Sequence, residues 1–345
     1  MRYTPSPFLL PILLSLITCF LLSSYSYSEN NTEHSSGESS LWEKYPSNLP
    51  QFDYSGDKLQ QHWPQLSATT GISWPDAVTI ENMMAEFPLL EEQLQQRAKS
   101  QNAPAELKEV LNNNYQPLAK SVQQVWRLHY QGDYEQAYQL GMTLSPAGLF
   151  PALYAKLIHT TYLIHDIKKK EERFLEVDQV LARTLPLAPN YNFITFGDTY
   201  QKVRRLELMT TSQATTSGLL GPTQDKLQEL HYKFPDNPLY PAMLAGIDAG
   251  IIERVGGFIG SITYGANEEE AIELFKQAIQ LQPNLVVLYN EFAQAILRLN
   301  NEDHNKLLLS LLNQCVTLIA YSAEEALNQH SCQSLLMQQN EHFYK

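Results

Sequence analysis

Several residue types that perform catalysis or bind metals occur in this chain, but their spacing matches no catalytic motif that we identify. His159 and His165 stand six residues apart in a predicted helix, so their side chains project from different faces. Three acids, Glu268, Glu269 and Glu270, stand at the start of a predicted helix, where negative charge stabilises the positive end of the helix dipole. HExxH and GxSxG motifs are both missing. We therefore expect no catalytic residues, no metal site and no cofactor.

A glycine-rich segment is the second place where chemistry is conceivable. Its glycines are Gly246, Gly250, Gly256, Gly257, Gly260 and Gly265. No predicted strand precedes the segment, and it has neither a Lys-Ser/Thr pair nor a dinucleotide fingerprint, so a phosphate-binding loop is disfavoured. Because each glycine costs a helix about 1 kcal/mol relative to alanine, the segment predicts close helix crossing or a helix break. The functional alternative is a glycine-lined cavity wall.

Two cysteines near the end of the chain, Cys315 and Cys332, allow two interpretations. They lie on the last two predicted helices, where a helical hairpin could join them by a disulfide in an oxidising compartment. Alternatively, Cys315 belongs to the core, because Leu308, Leu311 and Leu312 share its helical face. The spacing alone does not decide between them.

The first 28 residues have the composition of a secretory signal peptide. Arg2 provides a basic start, an apolar run extends from Phe8 to Leu22, and cleavage is expected after Ser28. We therefore expect export across an inner membrane, with the periplasm as the destination. An uncleaved leader that anchors the chain, or a lipoprotein lipidated at Cys19, is the alternative and the one expected route to a membrane.

The rest of the chain divides by composition into three parts. Residues 29–40 are polar and low in complexity, which predicts a disordered linker. Residues 41–88 are rich in proline and aromatic residues, including Trp42, Trp63 and Trp74, which predicts an irregular cap or, alternatively, a recognition surface. Residues 89–342 show nearly continuous helical periodicity, with few β-signals. The sequence thus predicts an all-α protein.

The strongest pattern in this helical part lies between residues 265 and 299. Ala271, Phe275, Ala278 and Pro283 follow one another as small, aromatic, small and proline. Similar inward positions in the next helix are Tyr289, Phe292, Ala293 and Ile296. This pattern resembles the tetratricopeptide repeat family, in which units of about 34 residues form antiparallel helix pairs. The resemblance implies a helical-repeat solenoid over residues 89–342.

Part of this sequence also resembles two kinds of bacterial protein. The string SITYGANEEEAIELFKQAIQLQPN, followed by LYNEFAQAIL, looks like a set of uncharacterised exported repeat proteins, which implies no activity. The same string is similar to the helical T-component that accompanies tripartite periplasmic solute transporters. That second resemblance implies a pore or cavity for a small apolar or acidic solute.

The charge of the chain limits the partners that it can bind. Its formal net charge is −13, and no basic stripe offsets it. Since an acidic surface repels phosphate backbones, we expect no nucleic acid partner.

The repeat register places five polar or aromatic side chains on the predicted concave face: Glu253, Tyr264, Asn290, Gln294 and Arg298. We interpret this face as a groove for a protein or peptide partner, so the leading hypothesis is an exported, non-enzymatic scaffold. The alternative is a small-ligand-binding component associated with solute uptake. In that alternative, Tyr264 and the glycine-rich helix line a cavity.

Overall fold

The computed structural model describes residues 42–343, with side chains described to residue 339. The signal peptide, the polar linker and the lipidation site predicted for residues 1–40 lie outside the described residues. Within residues 42–343 there are seventeen α-helices, three short 3-10 helices and no β-strand, so the predicted all-α class is confirmed. None of the helices in this part is both long enough and apolar enough to span a bilayer.

The helices follow one another along the whole described chain. Their bounds are α1 Lys58–Gln61, α2 Trp63–Leu66, α3 Ala77–Glu86, α4 Pro88–Ala98, α5 Ala105–Glu109, α6 Gln116–Gln131, α7 Tyr134–Thr143, α8 Leu149–Tyr162, α9 Ile167–Thr184, α10 Asn192–Leu208, α11 Thr211–Thr216, α12 Leu220–Lys233, α13 Leu239–Tyr264, α14 Glu268–Leu281, α15 Val286–Leu299, α16 Asn305–Thr317 and α17 Ala323–Phe343.

Six of these helices form a closed circuit of contacts, and we call them the inner helices. They are α6, α8, α10, α13, α15 and α17. Each contacts the next, and α17 also contacts α6. The helices α7, α9, α12, α14 and α16 each contact the two inner helices that flank them in the chain. The inner helices therefore bring side chains from distant parts of the sequence to one central region.

The packing of α14 shows how the sequence produces one such helix. The Asn267 side chain accepts a hydrogen bond from the Glu270 backbone N–H at 3.0 Å, which caps the helix. Ala271, Phe275 and Ala278 share one face at helical spacing, and all three are buried. Phe275 stacks on Phe292 of α15 with ring centroids 4.7 Å apart. The apolar stripe of α14 is thus buried against its neighbour.

The segment before α3 packs on the helical body through its aromatic side chains. Trp42 contacts the ring of His159 at 4.5 Å between centroids, and Trp63 lies edge-on to Trp126 at 5.7 Å. Arg127 of α6 donates a hydrogen bond to the Tyr54 carbonyl oxygen at 2.7 Å. These aromatic residues are therefore used in contacts within the chain.

Four helices are additional to those that apolar periodicity predicts. The helices α1, α2 and α3 lie in the segment predicted as an irregular cap, and α11 is polar, with the sequence TSQATT. The long helix α13 is interrupted at Gly256, where φ is 77° and ψ is 158°. These angles are accessible mainly to glycine. The glycine-rich segment therefore contains a helix break.

Candidate binding cleft

A cleft of about 420 Å³ lies among α8, α9, α10, α15 and α17. Three basic side chains line it, Lys170, Arg204 and Arg298, together with two acids, Glu207 and Glu291. We call it the charged cleft. Its five charged groups sum to +1, whereas the whole chain carries −13. The volume falls in the range of small-molecule sites, about 300–1,000 Å³.

Seven neutral polar residues or histidines also line the charged cleft, together with the apolar side chains of Phe174, Leu208 and Leu327. The seven are Thr161, Tyr162, His165, Gln294, His330, Ser331 and Ser334. Hydroxyl, amide and imidazole groups can all donate hydrogen bonds. The hydroxyls of Thr161, Tyr162 and Ser334 already donate to groups of the chain, so a ligand would take its neutral donors from the remaining groups, among them Gln294 and Ser331.

The floor of the cleft is an ion-pair network of four residues, which we call the four-charge cluster: Arg204, Glu207, Glu291 and Arg298. Arg204 Nη2 donates to Glu291 Oε1 at 2.6 Å, and Arg204 Nη1 donates to Glu207 Oε2 at 2.9 Å. Both Nη atoms of Arg298 donate to the single oxygen Oε1 of Glu207, each at 3.1 Å. The network therefore joins α10 to α15.

Helical spacing explains why these four side chains meet. Arg204 and Glu207 are three residues apart on α10, and Glu291 and Arg298 are seven residues apart on α15, so each pair projects from one face. Arg254 of α13 supports the arrangement, because its Nη2 donates to the Glu207 carbonyl oxygen at 3.2 Å. This bond satisfies a carbonyl group at the end of α10 that has no partner within the helix.

The electrostatics of the four-charge cluster keep Arg204 and Glu207 ionised. Burial acts to raise the pKa of Glu207, but Arg204 and Arg298 outweigh it, so this pKa lies below its usual value. Burial acts to lower the pKa of Arg204, but Glu207 and Glu291 hold it well above its usual value. Charges that are partly removed from water interact more strongly than surface charges. The charged side chains of the cluster therefore produce an electrostatic field from fixed positions at the cleft floor.

Lys170 is the basic group of the cleft that is not part of this cluster. Its Nζ donates to the Thr161 carbonyl oxygen at 2.9 Å, and no carboxylate within the described residues pairs with it. Burial lowers its pKa, Arg204 lowers it further, and Glu207 opposes both. A bound anion would supply the negatively charged partner that Lys170 lacks among the described residues.

A narrow apolar crevice of about 50 Å³ adjoins the same cluster, and we call it the glycine crevice. Glu207 and Arg298 line both this crevice and the charged cleft. Its apolar wall comes from α10, α12 and α13 and consists of Val203, Leu206, Leu220, Ile247, Ile251 and Val255. Gly246 and Gly250 complete the α13 side. A Cβ atom at Gly246 would have no neighbour within 4 Å, so this glycine leaves open space.

A second apolar crevice, also of about 50 Å³, shares Val203, Glu207 and Gly246 with the glycine crevice. Its wall includes Tyr154, Tyr162 and Tyr200, together with the buried acid Glu324. Tyr154 Oη donates to both carboxylate oxygens of Glu324, at 3.1 and 3.0 Å. The charged cleft therefore adjoins one aliphatic crevice and one aromatic crevice.

The five residues that the sequence assigned to a concave face occupy different environments. Arg298 lines the charged cleft together with Gln294, and it lines the glycine crevice together with Tyr264. Asn290 is buried, and its Nδ2 donates to Asn328 Oδ1 at 2.9 Å, so it serves helix packing. Glu253 is exposed and lines neither the cleft nor the crevices. The five residues therefore do not form one surface.

The structure joins Cys315 and Cys332 by a disulfide, with their Cα atoms 6.3 Å apart. Both residues are fully buried, so the cysteines are at once bonded and part of the core. Cys332 Sγ lies 3.7 Å from Asn290 Oδ1. The bridge therefore fixes α16 to α17 beside the polar contact of α15.

Sequence reasoning missed Lys170, Arg204, Glu207 and Glu291. A usable signal exists for two of them, because Arg204 and Glu207 follow Tyr200 by four and seven residues, on the apolar face of α10. Charged residues in an apolar stripe are rarely buried without a partner. The pairing of α10 with α15 depends on tertiary structure, so the sequence pattern did not reveal it.

Among the described residues, no group of three or more histidine, cysteine, aspartate or glutamate side chains is arranged to hold a metal ion. Comparisons with protein-family models, with curated proteins and with solved structures found no match for this chain.

Proposed function

We propose that this chain is an exported, non-enzymatic binding protein whose charged cleft holds a small organic anion. The observation that carries the proposal is the excess of basic side chains in a 420 Å³ cleft of a protein with a net charge of −13. A local positive potential in an acidic molecule attracts and orients an anion. The cavity hypothesis is thus favoured over the peptide groove expected first.

Four observations support the fold, the compartment and the class of partner in this proposal. The burial of Ala271 and Ala278 and the stacking of Phe275 on Phe292 fit a tetratricopeptide-like arrangement of helix pairs. The disulfide between Cys315 and Cys332 fits an oxidising compartment. The apolar leader fits export, and the acidic surface fits the expected lack of nucleic acid binding.

The proposal is tested by ligand-observed NMR of the full mature chain with butanoate and with uncharged butanol. Butanoate should bind and butanol should not. Lys170→Gln should weaken butanoate binding about tenfold, since a hydrogen bond to a charged group contributes about 1.5 kcal/mol. Lys169→Gln is the matched control, because Lys169 lies on the same helix and is exposed.

Two outcomes would contradict the proposal. Equal binding of butanoate and butanol would show that charge is not recognised, and equal effects of the two lysine substitutions would show that Lys170 is not at the site. Mass spectrometry of protein purified mildly from its native host would identify the natural ligand. A sample that carries no small molecule but repeatedly recovers one protein would favour the second function below.

A scaffold for a protein partner is the second candidate function, and one surface favours it. After the break at Gly256, Phe258, Ile259 and Ile262 are 79%, 52% and 71% exposed. Their helical spacing places them on one face. Exposed apolar clusters of this kind mark interaction sites in soluble proteins.

Crosslinking in the native host tests this second candidate. A double substitution, Phe258→Ser with Ile262→Ser, should abolish a specific crosslinked product. Tyr232→Ser is the control, because Tyr232 is also a highly exposed aromatic residue but lies on α12. Loss of the product in both variants, or in neither, would argue against docking at Phe258 and Ile262.

A further inference from the structure

We infer that the ligand is an amphiphile whose anionic head occupies the charged cleft and whose short apolar tail occupies the glycine crevice. This inference rests on the proposed function and narrows it to a class of ligand. The two cavities meet at the ion pair of Arg298 and Glu207, because these two residues line both the charged cleft and the glycine crevice.

The head group is placed by the geometry of Arg298. Both of its Nη atoms donate to one oxygen of Glu207 at 3.1 Å, whereas a bidentate pair uses both oxygens of a carboxylate. A ligand carboxylate can therefore take one of these donors while Glu207 keeps the other. Arg204 continues to hold Oε2 of Glu207, so the cluster is not dismantled when the head binds.

The tail is placed by the composition of the glycine crevice. Apart from Arg298, Arg254 and Glu207, its wall is made of aliphatic side chains, two glycines and a few hydroxyl-bearing residues. An alkyl group gains roughly 0.8 kcal/mol for each methylene removed from water. The crevice would therefore bind the apolar tail of the ligand, which the charged cleft disfavours.

The length of the tail is limited by the available space. The crevice holds about 50 Å³, several times the 10–15 Å³ or so that a single water needs on this kind of measure. A short alkyl chain fits this space, whereas a long one does not. Gly246 has open space where a side chain would begin, but it lines both crevices, so a larger residue there can take space from either. Ala214 lines the glycine crevice and not the aromatic one, so a larger residue at that position is the more selective way to reduce the volume for the tail.

The experiment measures the affinity of the mature chain for butanoate, hexanoate and octanoate by calorimetry. In the unmodified protein, affinity should rise about fourfold per added methylene until the crevice is full. In Gly246→Leu, affinity should become independent of chain length. Ala214→Leu narrows the same crevice from α11 and should have the same effect. Gly221→Leu is the control, because Gly221 is exposed and also has no neighbour within 4 Å of a Cβ.

The possible outcomes separate this inference from the proposed function. If none of the three anions binds, the proposed function fails and the inference with it. If all three bind with equal affinity, the charged cleft stands and the tail site is overturned. If affinity rises with chain length but the rise persists in both filled variants, the tail lies elsewhere and the inference is overturned. If Gly246→Leu fails to fold, Gly246→Ala replaces it with a smaller expected effect.

Discussion

At the scale of single residues, Arg204 is the side chain on which the cleft floor depends most. It pairs with two carboxylates, Glu207 and Glu291, and its guanidinium lies over the Tyr200 ring, 5.1 Å from the centroid. The Arg204 side chain is 13% exposed, and those of Glu207 and Glu291 are 23% and 19% exposed, so all three are partly desolvated. Removing one member of such a network leaves an acid in the interior without compensation.

We therefore predict that Arg204→Met lowers the free energy of unfolding by about 3 kcal/mol. Arg298→Met should cost less, because Arg298 pairs with Glu207 alone and Arg204 still neutralises that acid. Urea denaturation of both variants measures the two changes. Equal losses would show that Arg204 is not the centre of the network.

Glu325 provides a prediction about pH at the same scale. Burial, with a smaller effect of Glu324, acts to raise its pKa, and backbone hydrogen bonds from Tyr321 and Ser322 oppose this rise. The net result is a pKa raised from 4.5 to about 7. Because the folded state holds the proton more tightly, this group stabilises the fold below pH 4.5 or so, and its contribution is lost as pH rises to about 7.

Glu325→Gln should remove this loss, because glutamine keeps an acceptor for the Tyr321 N–H and does not ionise. The variant should be more stable than the unmodified protein by up to about 3 kcal/mol at pH 8, and the difference should vanish near pH 4.5. Thermal denaturation across this pH range provides the measurement. A difference that does not change with pH would refute the burial of an ionisable carboxyl group here.

At the scale of elements, the break in α13 shows how far the sequence could be interpreted. Apolar periodicity predicts one helix over residues 238–263, and α13 covers residues 239–264. The glycines predict either close packing or a break, and both occur: a Cβ added at Gly260 would lie 3.4 Å from Ile251 Cγ2, and Gly256 breaks the helix. The open space at Gly246 fits the glycine-lined cavity wall that was the functional alternative. The sequence does not show that Gly246 and Arg298 line the same crevice, because this depends on how α13 packs against α15.

Two neighbouring glycines allow a matched test of the break. Gly256 has φ of +77° and Gly257 does not have positive φ, while a Cβ at either would meet nothing within 4 Å. Gly256→Ala should lower the free energy of unfolding by roughly 1–2 kcal/mol, because a residue with a Cβ is strained there. Gly257→Ala should be neutral or stabilising. Equal effects in denaturant titrations would mean that the break is not required by the fold.

The disulfide between α16 and α17 supports a further prediction about elements. The bonded cysteines are 17 residues apart, and closing a loop of this size stabilises a protein by about 3 kcal/mol through the unfolded state. The double substitution Cys315→Ala with Cys332→Ala should lower the free energy of unfolding by about this amount. Hydrogen exchange should then quicken first in α16 and α17, and unchanged exchange there would contradict the prediction.

At the scale of the whole molecule, the closed circuit of inner helices positions the cleft. Residues from α8, α10, α15 and α17 meet at one site, although they are spread over more than half of the chain. Local patterns predict helices and their buried faces, as they did for Ala271 and Phe275. They do not predict which distant helix supplies the acid that pairs with Arg204, because that depends on how the inner helices pack around the central region.

The contact between α6 and α17 also bears on how this chain gains and loses its structure. In an open row of repeats, terminal units fray independently of the middle. In this protein α6 and α17, the first and the last of the inner helices, touch each other, although they are separated by nearly two hundred residues of intervening sequence. Joining them requires most of the polypeptide to be ordered beforehand, and long-range closure of this kind slows folding. Refolding should therefore be slow and all-or-none, without stepwise release of the outermost helices.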